Sequence, residues 1–303
     1  MSNIISNRSE ILFLYETENA NPNGDPLNEN RPRFDSEDST ALVSDVRLKR
    51  TIRDYLFNYK GYNGKEDKDI FVRETTYEEG DKTYISDGKR RAKDFGEDRD
   101  RVIANCIDIR LFGGVIPLKR ASITLVGPVQ FQMGRSLNQV DIVTEQGTGA
   151  FASGDKKSQA TFRTEYKIPY GLIGFNGIIN EKAAQYSKMT EADKQLLLEG
   201  IWEGTKNLIS RSKFGQNPLL LLVVNYRDSF YTGHLRQRVK LTSDKSGLAI
   251  RSTNDYSLDL TDLWGTLKQN ADKIASIEVK FDNRLNFTNK EKVANGRLDP
   301  NEL

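Results

Sequence analysis

Two amphipathic helix patterns, each flanked by strand patterns, constrain the fold of this chain more than any other feature. Apolar residues recur every three or four positions at 44–59 and again at 190–212, which predicts two helices that each bury one face. Strand patterns rich in β-branched or continuous apolar residues lie at 10–18, 121–131, 166–179 and 218–226. The order is strand, helix, strand, strand, helix, strand. It predicts an α+β fold of the ferredoxin-like kind.

The first helix pattern combines an apolar stripe with concentrated positive charge. Ser44 is suited to cap its N-terminus, and Leu48, Ile52 and Leu56 share the face that should be buried. The cations on its exposed side are Arg47, Lys49, Arg50 and Arg53. Because the whole chain has a formal net charge of only +2, this cluster is either an ordinary solvated surface or a local site for a polyanion.

Three stretches do not fit the six-element core. Residues 61–105 are crowded with charge and glycine and carry few large apolar residues, which predicts an insertion that projects from the core. A polar, glycine-rich arm at about 132–165 is too long for an ordinary connection between core elements. Residues 228–303 show a less regular pattern and are expected to form a C-terminal extension. The core is then assigned to 1–60, 106–131 and 166–227.

The composition limits the compartment and the chemistry. The one cysteine, Cys106, excludes an internal disulfide and suits a reducing cytosol; it lies in an apparent strand pattern and is expected to be a small buried hydrophobe. The longest apolar run, 218–224, is too short to span a bilayer, and no apolar signal segment precedes the first strand. We expect a soluble cytoplasmic protein with no membrane partner. A lone histidine, His234, makes nucleophilic catalysis with Cys106 unfavoured.

Two further patterns bear on ligands. The glycine-rich stretch at 147–158 resembles a phosphate-binding loop, but Asp155 follows the second glycine where that loop needs lysine, so nucleotide binding is rejected. Carboxylates also crowd the loop after the first strand, and they leave a magnesium site open, although acidic loops are usually only solvated. These carboxylates are Asp25, Asp35, Glu37, Asp38 and Asp45.

A set of short motifs resembles one known family. The motifs are NPNGDP after the first strand, SDVRLKRTIRDYL on the first helix, DIRLFGG at 108–114, GPVQF, GRSLN and GTGAF through the arm, YGLIGFNGIIN at 170–180, and RSKFGQNP at 211–218. They extend over residues 10–227 and are specific as a set. The chain resembles the backbone subunit of type I CRISPR Cascade complexes, a RAMP superfamily protein that coats guide RNA, and it is most similar to the subtype I-B form.

The resemblance implies a right-hand shape with an RRM-like palm, fingers at 61–105 and a thumb hairpin at 132–165. Copies would stack head to tail along the guide crRNA, because a contact between copies that does not close produces a filament. Target DNA would pair with the guide. Other Cascade subunits and a separate effector nuclease are the further partners that the resemblance implies. The subunit itself is expected to be non-catalytic and to carry no cofactor.

The resemblance also implies which residues bind RNA. Arg47, Lys49, Arg50 and Arg53 fall in the basic-helix motif and are expected to bind guide phosphates, although some can form salt bridges instead. Phe151 either stacks beside a displaced nucleotide or packs within the hairpin. The other expected RNA contacts are Ser136, Asn138, Lys156, Lys157, Arg163, Arg211, Lys213 and Gln216.

Two other functions stay open. Type III relatives of the backbone subunit cut target RNA with a loop aspartate and a metal ion, and Asp35 and Asp38 are the candidates for that role here. A free-standing protein that binds single-stranded RNA without partners is the third interpretation. Magnesium-dependent RNA cleavage would favour the first alternative, and a stable monomer that does not assemble on RNA would favour the second.

Overall fold

The helices of this chain are short, and the longest two follow the predicted amphipathic patterns. The structure, a computed structural model, describes residues 3–117, 122–148 and 162–299. The α-helices in these ranges are α1 (Asp45–Tyr59), α2 (Gly88–Asp94), α3 (Arg99–Asn105), α4 (Ile107–Phe112), α5 (Glu181–Ser187), α6 (Glu191–Lys206) and α7 (Thr261–Gln269). One-turn 3₁₀ helices lie at Leu235–Arg238, Gly247–Ala249, Thr253–Asp255, Ala271–Lys273 and Lys290–Lys292. No helix within the described ranges has an apolar stretch long enough to cross a membrane.

Most strands join one large antiparallel sheet. The strands of the described residues are β1 (Ser9–Ala20), β2 (Gly24–Asp25), β3 (Arg31–Pro32), β4 (Phe34–Asp35), β5 (Thr40–Val43), β6 (Thr76–Glu79), β7 (Lys82–Ile85), β8 (Gly113–Pro117), β9 (Ser122–Val126), β10 (Val129–Phe131), β11 (Gly134–Ser136), β12 (Val143–Thr148), β13 (Phe162–Ile179), β14 (Gln216–Tyr226), β15 (Lys240–Thr242), β16 (Ser257–Asp259), β17 (Ile274–Phe281) and β18 (Gly296–Leu298). The large sheet has the order β18-β17-β14-β1-β13-β11-β5-β4, and β10 and β12 also pair with β13. β1 therefore lies at its centre, between β13 and β14.

Five of the six predicted core elements are confirmed in type and position. The hydroxyl of Ser44 caps α1 by accepting a hydrogen bond from Arg47 N at 3.3 Å. α6 begins with a capping box, in which Thr190 and Asp193 each bond to the other's backbone N–H. α6 ends at Lys206 and not at 212, because the chain then closes a turn in which Phe214 N donates to the carbonyl oxygen of Ser210.

The prediction of one continuous strand at 121–131 is wrong. β9 pairs with β8 in a separate hairpin, and only β10 joins the large sheet, beside the end of β13. The chain bends at Gly127, where an added Cβ would lie 2.0 Å from the carbonyl carbon of Phe112. Pro128 follows without a backbone donor. The β-branched pattern therefore crosses a bend that joins two sheets.

The segment 61–105 contributes to a small apolar core of its own. Phe71, Phe95 and Val102 are buried together with Cys106 and with apolar side chains of α4, β8 and β9. Cys106 lies between α3 and α4, so the predicted strand around it is wrong, whereas its complete burial was expected. Burial raises the pKa of its thiol, because an apolar surrounding disfavours the thiolate.

Apolar side chains cover both faces of the large sheet. Along β1, Ile11 and Phe13 pack in the core that includes α1 and α6, whereas Leu12 and Leu14 pack in a second core on the opposite face. α7 and the strands β17 and β18 supply much of this second core, and both strands extend the sheet beyond β14. Residues 228–299 are thus an integral layer of the fold, not the irregular extension that the sequence of 228–303 indicates.

The helices α1 and α6 pack closely on the first face. An added Cβ at Gly204 would lie 3.1 Å from the carbonyl oxygen of Thr51, so a small residue is needed for this approach. Tyr55 Oη donates to Glu199 Oε1 at 2.8 Å across the same interface. This packing fixes the position of α1 above the centre of the sheet.

Candidate functional site

Three segments that are far apart in sequence meet beside the first half of α1. The loop after β1 contacts the turn after α6 through a hydrogen bond of 2.8 Å from Asn21 N to Ser212 O. The same loop reaches the start of α1, where Asn23 Oδ1 accepts from Ser44 N at 2.7 Å. We call residues 207–215 the α6 turn. The motifs NPNGDP, SDVRLKRTIRDYL and RSKFGQNP therefore form one surface.

The α6 turn has a fixed backbone. Glu18 N donates to the carbonyl oxygen of Gly215 at 3.0 Å. Gly215 has a φ of +106°, and an added Cβ would lie 2.4 Å from Glu18 O, so both conformation and space require glycine. On the other side of the turn, Lys213 N and Phe214 N donate to Ser210 O at 3.0 and 2.8 Å. The side chains of the turn are thus presented from a rigid support.

Arg47 and Lys213 are part-buried cations, and the charge of Asp54 acts on Arg47 without forming an ion pair with it. Arg47 Nη2 donates to Thr51 Oγ1 at 2.9 Å, and its buried Nε has no hydrogen-bond partner. Lys213 Nζ donates to the carbonyl oxygen of Asn21. Among the described residues, no carboxylate forms an ion pair with either side chain. Because an uncompensated buried charge is costly, an anion that received hydrogen bonds from both groups would be stabilised here.

The pKa values of these two cations are lowered mainly by burial. Burial, assisted by the nearby charge of Arg47, lowers the pKa of Lys213 to about 8. Burial likewise lowers the pKa of Arg47. Gln216 lines a small cavity together with Arg47, and its amide donates to Lys213 O at 3.2 Å. We call Arg47, Lys213 and Gln216 the cation pocket. Its donors suit a phosphate or a carboxylate.

The next two cations of α1 have partners one helical turn away. Lys49 Nζ lies 3.0 Å from Asp45 Oδ2. Arg50 Nε lies 2.6 Å from Asp54 Oδ1, at an exposed position. A phosphate contact at either side chain stays a prediction. A phosphate at Lys49 or Arg50 would have to compete with the carboxylate that is already paired with that cation. Arg47 has no such ion pair with any residue that the structure describes.

Arg53 connects α1 with the segment 61–105. Its Nε donates to Asp108 Oδ2 at 3.0 Å, and Asp108 is fully buried. The same carboxylate accepts backbone hydrogen bonds from Phe71 N at 2.7 Å and Val72 N at 3.1 Å. Arg53 is itself mostly buried. Its observed role is to neutralise a buried carboxylate, and a contact with RNA stays a prediction.

Ser136 and Asn138 are buried and bonded within the chain. Ser136 Oγ donates to Asn138 O at 2.7 Å and accepts from Ala41 N at 3.0 Å. Asn138 Oδ1 accepts from Leu172 N at 2.9 Å, and its amide donates to Tyr170 O at 3.3 Å. Their observed role is to hold the chain after β11 against β5 and β13. The expected contact of these side chains with RNA has no open donor or acceptor to support it.

The base of the predicted thumb hairpin is formed by β12 and β13. Arg163 and Arg211 both form ion pairs with Glu165, and Arg211 Nε lies 3.0 Å from its Oε1. The α6 turn is thereby connected to the hairpin base. The remaining predicted RNA contacts of the hairpin lie outside the described residues, and they are Phe151, Lys156 and Lys157.

The acidic first loop is held by arginines. Arg135 lies 2.7 Å from Asp35 Oδ2 and 2.8 Å from Asp38 Oδ2. The hydrogen bond from Arg135 lowers the pKa of the Asp35 carboxyl group. Arg33 lies 3.3 Å from Asp25. Over the described part of the chain, no three histidine, cysteine, aspartate or glutamate residues lie close enough together to hold a metal ion.

One residue at the cation pocket has no signal in the sequence pattern. Phe214 lies on the α6 turn between Lys213 and Gly215, and its side chain is 70% exposed. From sequence alone, an isolated phenylalanine in a polar loop is normally expected to be buried and to anchor the loop on the core. Only the tertiary structure, with the turn fixed against Glu18, reveals that it faces outward.

The structure thus has a sheet covered by two helices, with two cations beside α1 whose donors suit an anion. The family model for CRISPR-associated protein Cas7 matches residues 7–261. A curated relative, CRISPR-associated protein Cas7 of Haloferax volcanii, is 31% identical, and the alignment covers 92% of this chain and 88% of that protein. The chain belongs to the CRISPR-associated Cas7 family.

Solved structures show the same fold at low sequence identity. One chain of a "CRISPR RNA-guided surveillance complex, pre-nicking" matches with a TM-score of 0.54 and 9% identity, covering 93% of this chain and 96% of that chain. A chain of a "CRISPR RNA-guided surveillance complex" matches with a TM-score of 0.52 and 12% identity, covering 93% and 95%. The architecture therefore persists along nearly the whole length of both relatives.

Proposed function

We propose that this chain is a non-catalytic backbone subunit of a type I-B Cascade surveillance complex, where copies assemble head to tail along the guide crRNA and present it to target DNA. The cation pocket is the observation that carries the RNA contact. A guide phosphate would supply the negative charge and the acceptor oxygens with which Arg47 and Lys213 can form hydrogen bonds. Such contacts are independent of base sequence, as a protein that must hold any guide requires. Membership of the Cas7 family supports the complex in which the contact is made.

The finer description of the fold is part of this proposal. The strand order β14-β1-β13-β10, with α1 and α6 on one face, supports a ferredoxin-like, RRM-like palm. The palm takes 1–60, 106–131 and 166–227, the fingers take 61–105, and the thumb hairpin takes 132–165. Of the C-terminal extension at 228–303, the described residues 228–299 cover the second face of the palm. Other Cascade subunits and a recruited effector nuclease are the further partners, in the cytoplasm.

Assembly on RNA tests the proposal directly. We expect the purified full chain to form multimers on a guide-like RNA of roughly sixty nucleotides. Its binding to RNA should weaken as the salt concentration rises, because the release of counterions drives phosphate binding. Shorter RNAs should bind proportionally fewer copies. The measurement is the size distribution by light scattering with and without RNA, at low and high salt.

Other outcomes of this experiment would contradict the proposal. One copy per RNA at every length would favour a free-standing RNA-binding protein. Magnesium-dependent cleavage of RNA paired with the guide, abolished by Asp35→Ala or Asp38→Ala, would favour the metal-dependent ribonuclease. The ion pairs of both aspartates with Arg135 support the non-catalytic role.

The affinity for RNA should fall at alkaline pH. Lys213 has a pKa of about 8 in the free protein, so its charge is present at pH 7 and is lost as the pH rises through 8. We expect the affinity for RNA at pH 9 to be about fivefold lower than at pH 7, because Lys213 is mostly neutral at pH 9. A lysine with an ordinary pKa would still be charged at that pH. The measurement is fluorescence anisotropy of labelled RNA across that range. Lys213→Arg should bind equally well at both values, and a wild-type chain without this pH dependence would contradict the prediction.

A further inference from the structure

Phe214 is an exposed aromatic residue at an otherwise polar position of the molecule. Its side chain is 70% exposed, and Ile209 on the same turn is 69% exposed. Exposed apolar side chains are unfavourable in water. Two of them on one fixed turn therefore indicate a surface that contacts a ligand or partner. What covers it has to be inferred from its surroundings.

The ring is held outward by the backbone. Phe214 N donates to Ser210 O at 2.8 Å, and Gly215 O accepts from Glu18 N at 3.0 Å. Gly215 cannot be replaced without a clash against Glu18. Since the turn is fixed on both sides of Phe214, the exposure of the ring is a property of the fold.

The neighbours of Phe214 indicate nucleic acid. The residue before it, Lys213, lies within the electrostatic influence of Arg47, and the second residue after it, Gln216, lines a small cavity with Arg47. Unpaired cations beside an exposed aromatic ring are the arrangement by which proteins hold single-stranded nucleic acid, with phosphates on the cations and bases on the ring. An apolar protein partner would offer no acceptor to the part-buried cations next to the ring.

We infer that Phe214 is a base-stacking subsite: when a phosphate occupies the cation pocket, a base of the adjacent nucleotide lies against the exposed face of the ring. The inference rests on the proposed RNA-binding function and extends it to a base contact. Stacking does not select among the four bases, since each has an aromatic face. The subsite therefore fixes the position of a base and is indifferent to its identity.

Photocrosslinking tests the stacking. The full chain is bound to a short RNA of about six nucleotides, which one copy can hold, with 5-iodouridine at each position in turn. Irradiation couples this base to an aromatic ring that stacks on it, and mass spectrometry of the digested complex locates the adduct. We expect an adduct on Phe214 from at least one position, and none on Phe214 when Arg47→Met and Lys213→Met are introduced together.

Affinity for the same short RNA gives an independent measurement. We expect Phe214→Leu to lower it about tenfold, whereas Phe214→Tyr should retain it, because the loss of one stacked base costs about this much. Tyr186→Leu is the matched control. Tyr186 is 69% exposed on α5, away from the cation pocket, so its replacement should change the affinity less than about twofold.

The outcomes separate this inference from the proposed function. Salt-dependent RNA binding with no adduct on Phe214 and unchanged affinity in Phe214→Leu would overturn the stacking subsite and leave the proposed function intact. Unchanged affinity for the short RNA, with loss of multimers on the long RNA, would instead assign Phe214 to a contact with the next copy. No binding of RNA by the wild-type chain would overturn the proposed function itself.

Discussion

Replacing Arg47 and Lys213 together by methionine lowers the affinity for guide-like RNA about 100-fold, since each removes a charge-assisted hydrogen bond to phosphate. The dependence of affinity on salt should weaken at the same time, because fewer counterions are released on binding. Methionine keeps most of the apolar stem that packs around the pocket. The measurement is RNA binding by anisotropy at several salt concentrations.

Stability separates this result from simple misfolding. Burial lowers the pKa of both Arg47 and Lys213, so replacing them should leave the free energy of unfolding unchanged or raise it. The charge-matched control is Lys240→Met with Lys292→Met, two exposed lysines of the C-terminal layer. A similar loss of RNA affinity in both double variants would mean that only net charge matters, and the cation pocket would be dismissed.

Arg53→Ala should cause a large loss of stability, whatever its effect on the affinity for RNA. It leaves the fully buried carboxylate of Asp108 with two backbone donors and no cation. We expect the free energy of unfolding to fall by about 3 kcal/mol, because breaking a buried ion pair strands a charge. The measurement is urea denaturation followed by circular dichroism.

Arg50→Ala is the internal control for Arg53. It breaks an exposed ion pair with Asp54 on the same helix, which should cost less than about 0.5 kcal/mol. Equal stability of the two variants would show that Asp108 finds compensation elsewhere. A selective loss of RNA affinity with unchanged stability in Arg53→Ala would contradict this stability prediction and support the predicted phosphate contact of Arg53.

The sequence predicts those elements whose determinants are local. α1, α6, β1, β13 and β14 each have a cap, a period or a continuous apolar run within their own residues. The strand at 121–131 fails because the bend at Gly127 depends on the backbone of Phe112, which packs against it. The C-terminal layer is not predicted, because β17 and the three-residue β18 acquire their role only by pairing beyond β14.

The candidate site shows the same division. A motif can identify Arg47 and Lys213 as basic positions, but their lack of an acidic partner is a tertiary fact. Within one helix, Arg47 faces the α6 turn and Arg53 faces Asp108, although the two lie only six residues apart. Sequence patterns cannot distinguish a cation that forms an ion pair within the fold from one that forms none.

α1 makes the cation pocket and the segment 61–105 mechanically inseparable. Arg47 belongs to the pocket, and Arg53, about 9 Å further along the helix axis, is bonded to the carboxylate that also holds the backbone at Phe71 and Val72. A hydrogen-bonded helix moves as a rigid strut. Under the proposed function, a displacement of 61–105 would therefore be transmitted along α1 to the side chain that contacts the guide phosphate.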